Sequence, residues 1–304
     1  MPDHTPRDKT RPSTHIVHAM TIDVEDYFHV AAFDKVVAPE SWHTFPSRVE
    51  HNTYQLLDLF ADRGVNATFF VLGWVAEKFP NIVREIASRG HEIASHGWSH
   101  QLVFQQTPEV FRQETHRSKS LIEDQAQKPV TGYRAASYSI THQSLWALET
   151  LAELGFTWDS SIFPIHHDRY GIPGSPEHPY RIQLANGAIL DELPLTTAKV
   201  FGYPIPAAGG GYFRQFPYPL FRWLFDRASQ NQSRPVIFYL HPWEIDPDQP
   251  RIPGAGFKSN FRHYTNLHRC WQRLEKLLDD FTFGTITDSL SSFDINDQID
   301  LNNI

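Results

Sequence analysis

The sequence predicts an α/β fold: a distorted (β/α) barrel of parallel strands carrying an irregular insertion rich in glycine and proline. Three observations predict it. Short β-branched or aromatic runs alternate with longer amphipathic stretches from residue 15 onward, and repeated strand–helix units imply parallel strands joined by crossovers. Polar clusters follow the strand-like runs repeatedly, at residues 23–26, 96–100 and 134–138, at Asp159 and at His241, and side chains at the C-terminal ends of parallel barrel strands converge on one face. Over residues 163–213 the rhythm breaks into a stretch dense in proline and glycine. With no internal repeat and no linker-like composition, one domain is expected over residues 15–290. A disordered tail (1–14) precedes it and a C-terminal tail (291–304) follows.

The elements follow from local signals. Residues 16–23 read as a strand ending in the acids Asp23, Glu25 and Asp26. Residues 49–62 carry Leu56, Leu57, Leu59 and Phe60 at helical spacing, and Gly64 supplies the stop. A buried strand is expected at 67–72, a helix at 80–88 ending before Gly90, and a short strand at 91–95. Thr107-Pro108 opens a polar helix reaching 125. A strand at 132–136, a helix at 142–154 and a strand at 156–159 come next. Within the insertion, Asn186-Gly187 between two alternating runs predicts a hairpin. Helices near 218–230 and 266–279 flank a strong strand at 236–240, and a last strand is expected at 283–286.

Composition excludes several classes of function. The net charge is −8, from 35 acidic and 27 basic residues, which argues against nucleic acid as the main partner, because phosphate binding needs a basic face. One cysteine, Cys270, precludes an intrachain disulfide framework and suits a reducing compartment. The longest uncharged apolar-rich run, 64–76, falls short of the ~20 residues that span a bilayer, and the first fifteen residues hold no apolar stretch of a secretory signal. The expectation is a cytoplasmic protein that is not integral to a membrane, with access to its inner face. The aromatic content (22 Phe, 11 Tyr and 8 Trp) exceeds what a core needs and suits a cleft that stacks on sugar rings.

Chemistry concentrates in a few segments. His96 and His100, at i and i+4, would lie on one face of a helical turn and could reach one ion, although among 17 histidines such a spacing also arises as two surface histidines. The acids Asp23, Glu25 and Asp26 repel one another unless a cation or a helix cap satisfies them, and Asp23 and Glu25 share a strand face. Together the two segments suit a divalent ion held by two histidines and one carboxylate, with positions left open for water and substrate. Zinc is the default metal for that donor set, with iron, cobalt, nickel and manganese also compatible. His241 ends a strand and would be held rigidly. Arg134 sits among small apolar residues and calls for a carboxylate partner, and Asp159 is either such a partner or an N-cap.

The phrases TIDVEDYFHV, ATFFVLGWVAEKFP, GHEIASHGWSH, GYRAASYSI, WDSSIFP and FYLHPWE, in this order, resemble the polysaccharide deacetylases of carbohydrate esterase family 4, which carry the NodB homology domain. Within it the chain resembles the branch encoded with exopolysaccharide loci of the exosortase (PEP-CTERM) type. The resemblance covers roughly residues 16–290. It implies the distorted barrel and the removal of N-acetyl groups from amino sugars of a polysaccharide or oligosaccharide, with release of acetate. It implies that Asp23 is the catalytic base and that Glu25 or Asp26, Glu25 preferred, joins His96 and His100 at the metal. Arg134 would position the base, Tyr138 would offer its backbone N–H to the oxyanion, and His241 would be the general acid, tuned by Asp159. Trp98, Trp158 and Trp243 flank these motifs and would contact the sugar.

Three departures bear on these roles. Val24 separates acids that are adjacent in the usual first motif, Ala136 and Ser137 stand where a proline usually precedes the aromatic, and Trp158-Asp159 reverses the commoner order. Two other readings remain: a metal-dependent C–N hydrolase of a small non-sugar amide, and a non-catalytic saccharide-binding protein. An open groove favours the polymer, a closed pocket the small amide.

Overall fold

The computed structural model describes residues 16–167, 170–230, 234–291 and 293–304, so the expected N-terminal tail lies outside the described residues. Four parallel strands build the centre: β1 (His18–Val24), β2 (Thr68–Val71), β3 (Glu92–Ser95) and β4 (Gly132–Tyr133). They continue into β5 (Trp158–Asp159), which pairs in parallel with β7 (Ile189–Glu192). β6 (Tyr180–Gln183) and β7 form the antiparallel hairpin expected at Asn186-Gly187. The hairpin β8 (Thr197–Val200) and β9 (Tyr203–Pro206) makes a separate two-stranded sheet. On the other side of β1 lie β10 (Ile237–Leu240) and the short β11 (Phe283–Gly284), both parallel to it. The C-terminal tail contributes β12 (Gln298–Asp300), which adds to β6.

The barrel is distorted in a specific way. The ladder runs from β10 through β1 to β5 and β7 and does not close into a ring. Residues 193–209 bridge the gap between β7 and β10 by isolated contacts: Ile237 N–H donates to Thr196 Oγ1 (2.9 Å), Ala207 N–H to Thr196 O (3.1 Å) and Tyr239 N–H to Ala208 O (2.6 Å). Gly209 is the fixed point. Its φ is +126°, and a Cβ there would sit 2.0 Å from the Tyr239 carbonyl oxygen, so only glycine lets this segment reach β10.

Helices cover the outside. These are α1 (Val49–Arg63), α2 (Gly73–Lys78), α3 (Pro80–Ser88), α4 (Pro108–Ala126), α5 (Trp146–Glu153), α6 (Gly210–Gln215), α7 (Tyr218–Gln230), α8 (Phe257–Tyr264), α9 (Leu267–Asp280) and α10 (Ile286–Ser291). Gly64, at φ 62°, ends α1 as expected. The Thr107 side chain accepts from Val110 N–H and opens α4. The main core lies between sheet and helices, where Met20, Ile22, Val24, Phe69, Val71, Leu56, Phe60 and Ile82 are buried. The alternate β1 residues Ala19, Thr21 and Asp23 face the barrel interior with Phe70 and Trp158.

Several boundaries differ from expectation for local reasons. The helix expected at 142–154 begins at Trp146, because Thr141 and Ser144 close a turn in which Thr141 N–H donates to Ser144 Oγ (3.0 Å). The expected strand 283–286 stops at Gly284, since Ile286 starts α10. α2, α6, α8 and the two strands of the β8–β9 hairpin lacked a readable periodicity because each element is only four to eight residues long.

Candidate active site

Asp23 is the last inward-facing residue of β1. Glu25 turns toward the same side because its N–H donates to Asp23 O (3.0 Å), a tight turn that breaks the strand. β3 delivers His96, whose backbone N–H still donates to Val71 O (2.9 Å). The loop 96–100 is not the helical turn expected from its spacing. Gly97 (φ 74°) and His100 (φ 52°) are left-handed, and hydrogen bonds from Gly73 N–H to Gly97 O (2.8 Å) and from Trp74 N–H to Trp98 O (3.0 Å) pin the loop to α2.

Glu25, His96 and His100 each offer a ligand atom, and the three atoms lie within 4.8 Å of one another. The donor set fits a divalent ion. His96 Nδ1 lies 2.8 Å from Arg134 O, and a carbonyl can only accept, so Nδ1 carries the proton and Nε2 keeps a free lone pair. Burial lowers the His96 pKa to about 4, which favours the neutral, ligating form. Glu25 is 1% exposed, and among the described residues its Oε2 lacks a hydrogen-bonded donor, although it lies 2.7 Å from His100 Nε2. Burial alone would raise the Glu25 pKa, yet the neighbouring His100 and His241 hold it well below the carboxylate range. Burial likewise opposes charge on His100, and Glu25 reverses this and raises its pKa. The cluster therefore attracts positive charge, and two imidazoles with one carboxylate are ligands typical of zinc.

Asp26 is not part of this cluster, which corrects it as a metal candidate. Its carboxylate accepts from Ser47 Oγ (2.5 Å) and from Arg48 and Val49 N–H (3.0 and 3.2 Å to Oδ2), so it satisfies the otherwise unpaired N–H groups at the start of α1.

Beside the cluster, Arg134 is fully buried. Its Nη1 donates to Asp23 Oδ1 (2.7 Å) and to Thr21 Oγ1 (2.8 Å), its other nitrogens donate to Ser160, and its plane lies over Phe70. Tyr138 donates its hydroxyl to Asp23 Oδ2 at 3.4 Å. Ser137 and Tyr138 are both left-handed (φ 50° and 54°), strained backbone of the kind that collects at functional sites. The role expected for the Tyr138 backbone is corrected: its N–H donates to Ala135 O (3.0 Å) and is not free for an oxyanion.

His241 directly follows β10, with Nε2 3.5 Å from Glu25 Oε1 and 3.9 Å from Asp23 Oδ2. Its partner is Glu244, whose Oε1 lies 2.7 Å from His241 Nδ1. Glu244 Oε2 accepts from Arg214 Nε (2.5 Å), and Arg214 is anchored on the carbonyls of His263 and Thr265. Burial opposes charge on His241, but Glu25, Glu244 and Asp23 outweigh it and raise the pKa to about 9. Sequence reasoning missed Glu244 although it lies within FYLHPWE, three residues after the histidine.

Asp159 does not reach His241, a second correction to the roles. It faces Glu192 across β5 and β7, and its carboxylate accepts from Ser161 Oγ (2.7 Å). Burial raises both carboxyl pKa values, Asp159 to about 6 and Glu192 further, and among the described residues Glu192 Oε2 has no donor unless a proton is shared with Asp159. Acids with raised folded-state pKa values add stability that is complete below about pH 4 and is lost as pH rises through about 6 and beyond. Glu192→Gln donates an amide to Asp159 and removes one ionisation. Its Tm should gain on wild type between pH 5 and pH 8, and parallel Tm curves would contradict the shared proton.

The three tryptophans separate. Trp243 lines the cavity at the cluster, and its indole N–H donates to Glu25 Oε1 (3.2 Å). Trp158 lies in the barrel interior against Phe70, where a Cβ on Gly132 would come within 1.9 Å of it. Trp98 packs on Gly73 beneath the Arg117 guanidinium. Of the three tryptophans expected to contact the sugar, Trp98 and Trp158 do not line the cluster cavity, while Trp243 does.

That cavity holds about 200 Å³ and is lined by Asp23, Glu25, His96, His100, Tyr138 and His241, among others. It adjoins two more: one of about 470 Å³, which shares His100, and one of about 260 Å³, which shares Tyr170 and Tyr239.

Residues 34–157 match the family model described as polysaccharide deacetylase, and residues 160–291 match DUF3473, a domain of unknown function. A Bacillus cereus peptidoglycan-N-acetylglucosamine deacetylase is 39% identical over 70 residues, covering 23% of this chain and 26% of the relative. A Rhizobium leguminosarum bv. trifolii chitooligosaccharide deacetylase is 46% identical over 50 residues, covering 16% and 23%. The matched stretch thus spans about a quarter of the length of these curated relatives. A crystal structure from Mycobacterium smegmatis, provisionally described as a polysaccharide deacetylase, shares the fold with a TM-score of 0.61 at 19% identity, covering 94% of this chain and 93% of that one. Among the described residues no helix is long and apolar enough to cross a membrane.

Proposed function

With the polysaccharide deacetylase family supported by the family model and the curated relatives, we propose that this chain is a metal-dependent hydrolase removing N-acetyl groups from amino sugars of a polysaccharide. The observation that carries the reading is the convergence of Glu25, His96 and His100 with the Asp23–Arg134 pair and the His241–Glu244 pair on one cavity. An exopolysaccharide, or its precursor at the inner face of the membrane, is the polymer we favour. It follows the resemblance to the exosortase-type branch and the expected cytoplasmic location.

Glu25, His96 and His100 would hold a divalent ion, zinc by preference, and it would supply Lewis-acid polarisation of the amide carbonyl and a lowered pKa for water. Asp23 takes the proton of the attacking water, and Arg134 fixes its carboxylate while the Tyr138 hydroxyl approaches the other oxygen. His241 is the acid. Its Nδ1 is held by Glu244, which leaves Nε2 facing the cavity to protonate the departing amine. Trp243 holds Glu25 through its indole N–H.

The adjoining cavities favour a polymer over a small amide, since the cluster cavity alone is too small for more than one sugar unit. Acetate release from N-acetylglucosamine oligomers tests this. Under this reading kcat/KM rises with chain length from monomer to pentamer. A flat profile, with faster turnover of a small acetamide, would favour the small-amide hydrolase.

A further inference from the structure

The irregular insertion and the C-terminal segment border a further cavity, of about 890 Å³, that shares no lining residue with the cluster cavity. It falls largely within the part of the chain matching DUF3473. Arg234 lines it and is 2% exposed. Among the described residues no acceptor reaches its Nε or Nη2. These two nitrogens form the edge of a guanidinium that grips a carboxylate or phosphate with two parallel N–H···O bonds. Burial lowers the Arg234 pKa only to about 10, so it stays cationic at neutral pH, and an unpaired buried cation is strongly unfavourable.

The nearest opposite charge of the wall, Glu177, raises the Arg234 pKa against burial but makes no hydrogen bond to Nε or Nη2 among the described residues. Glu177 pairs through Oε1 with Lys199 (3.3 Å), while its Oε2 is buried without a donor among the described residues. Asp297 is bound to His178 (2.5 Å), and Asp294 is exposed at the rim. The cavity thus presents an unmatched two-donor edge together with an unmatched acceptor. We propose that it binds an oxyanion, carboxylate or phosphate, carried on a hydroxyl-bearing molecule such as an acidic sugar. The anion occupies the Nε–Nη2 edge of Arg234, and a hydroxyl donates to Glu177 Oε2.

Calorimetry and thermal shift on the full chain test this with glucuronate, glucose 6-phosphate, inorganic phosphate and neutral glucose. Glucuronate or glucose 6-phosphate should bind and raise Tm, and whichever does so identifies the anion, while glucose leaves Tm unchanged. Arg234→Lys keeps the charge without the fork and should weaken binding about tenfold or more. Glu177→Gln should weaken the sugar acids while leaving inorganic phosphate unaffected. The proposal is overturned if neither sugar acid binds, if Arg234→Lys binds as tightly as wild type, or if inorganic phosphate binds as tightly as glucose 6-phosphate. None of these readouts depends on acetate release, so failure here is separable from failure of the deacetylase reading.

Discussion

Asp23→Asn should lower kcat/KM for acetate release by about 10²–10⁴-fold while metal content stays at the wild-type level, the range a positioned general base supplies. Asp23 is not among the three clustered ligands, so the ion's donor set is intact in the variant. Asparagine keeps an oxygen for Arg134 but cannot take a proton. The structural cost is limited, because Arg134 retains Thr21, Ser160 and the face of Phe70. Weakening one hydrogen bond to a charged group costs about 1.5–3 kcal/mol, visible as a modest drop in Tm. Equal loss of metal and of activity would instead place Asp23 in the ion's ligand shell.

Glu244→Gln carries the second large effect. Glu244 is 0% exposed and joins His241 Nδ1 to Arg214, so it fixes both the orientation and the charge of the imidazole. Glutamine fills the same volume without the negative charge that supports His241 as an acid. Loss of a comparable histidine-orienting carboxylate reaches about 10⁴-fold in kcat, and a fall of about 10²–10⁴-fold is expected here, with KM little changed. A substrate with a good leaving group separates a positioning role from general damage. An activated aryl acetate ester needs no proton on its leaving oxygen and should lose far less activity than an acetamide. Equal losses on both substrates would contradict the role.

The strand–helix alternation was legible because each strand buries a continuous apolar run, and polar clusters at the strand ends marked where the site lies. Asp23, His96, His100, Arg134 and His241 were legible for that reason: each sits at or just past the end of a strand. What spacing could not convey is which direction a side chain takes after the strand breaks. The turn after Val24 sends Glu25 to the cluster and Asp26 to α1, a choice made by Ser47 and the first N–H groups of that helix, more than twenty residues away. Asp159 was matched to His241 by motif order, while the register pairs it with Glu192, which belongs to the irregular insertion. Trp158 looked like a sugar platform because the space made for it by Gly132 is a tertiary property.

The most direct measurement is a metal titration of chelator-stripped protein with acetate release from N-acetylglucosamine oligomers as the readout, wild type beside His96→Ala. The account predicts that activity returns in proportion to added zinc and saturates near one ion per chain, while His96→Ala neither retains the ion nor recovers. Full activity in stripped wild-type protein, or zinc-restored activity in His96→Ala equal to wild type, would contradict a metal-dependent site built on Glu25, His96 and His100.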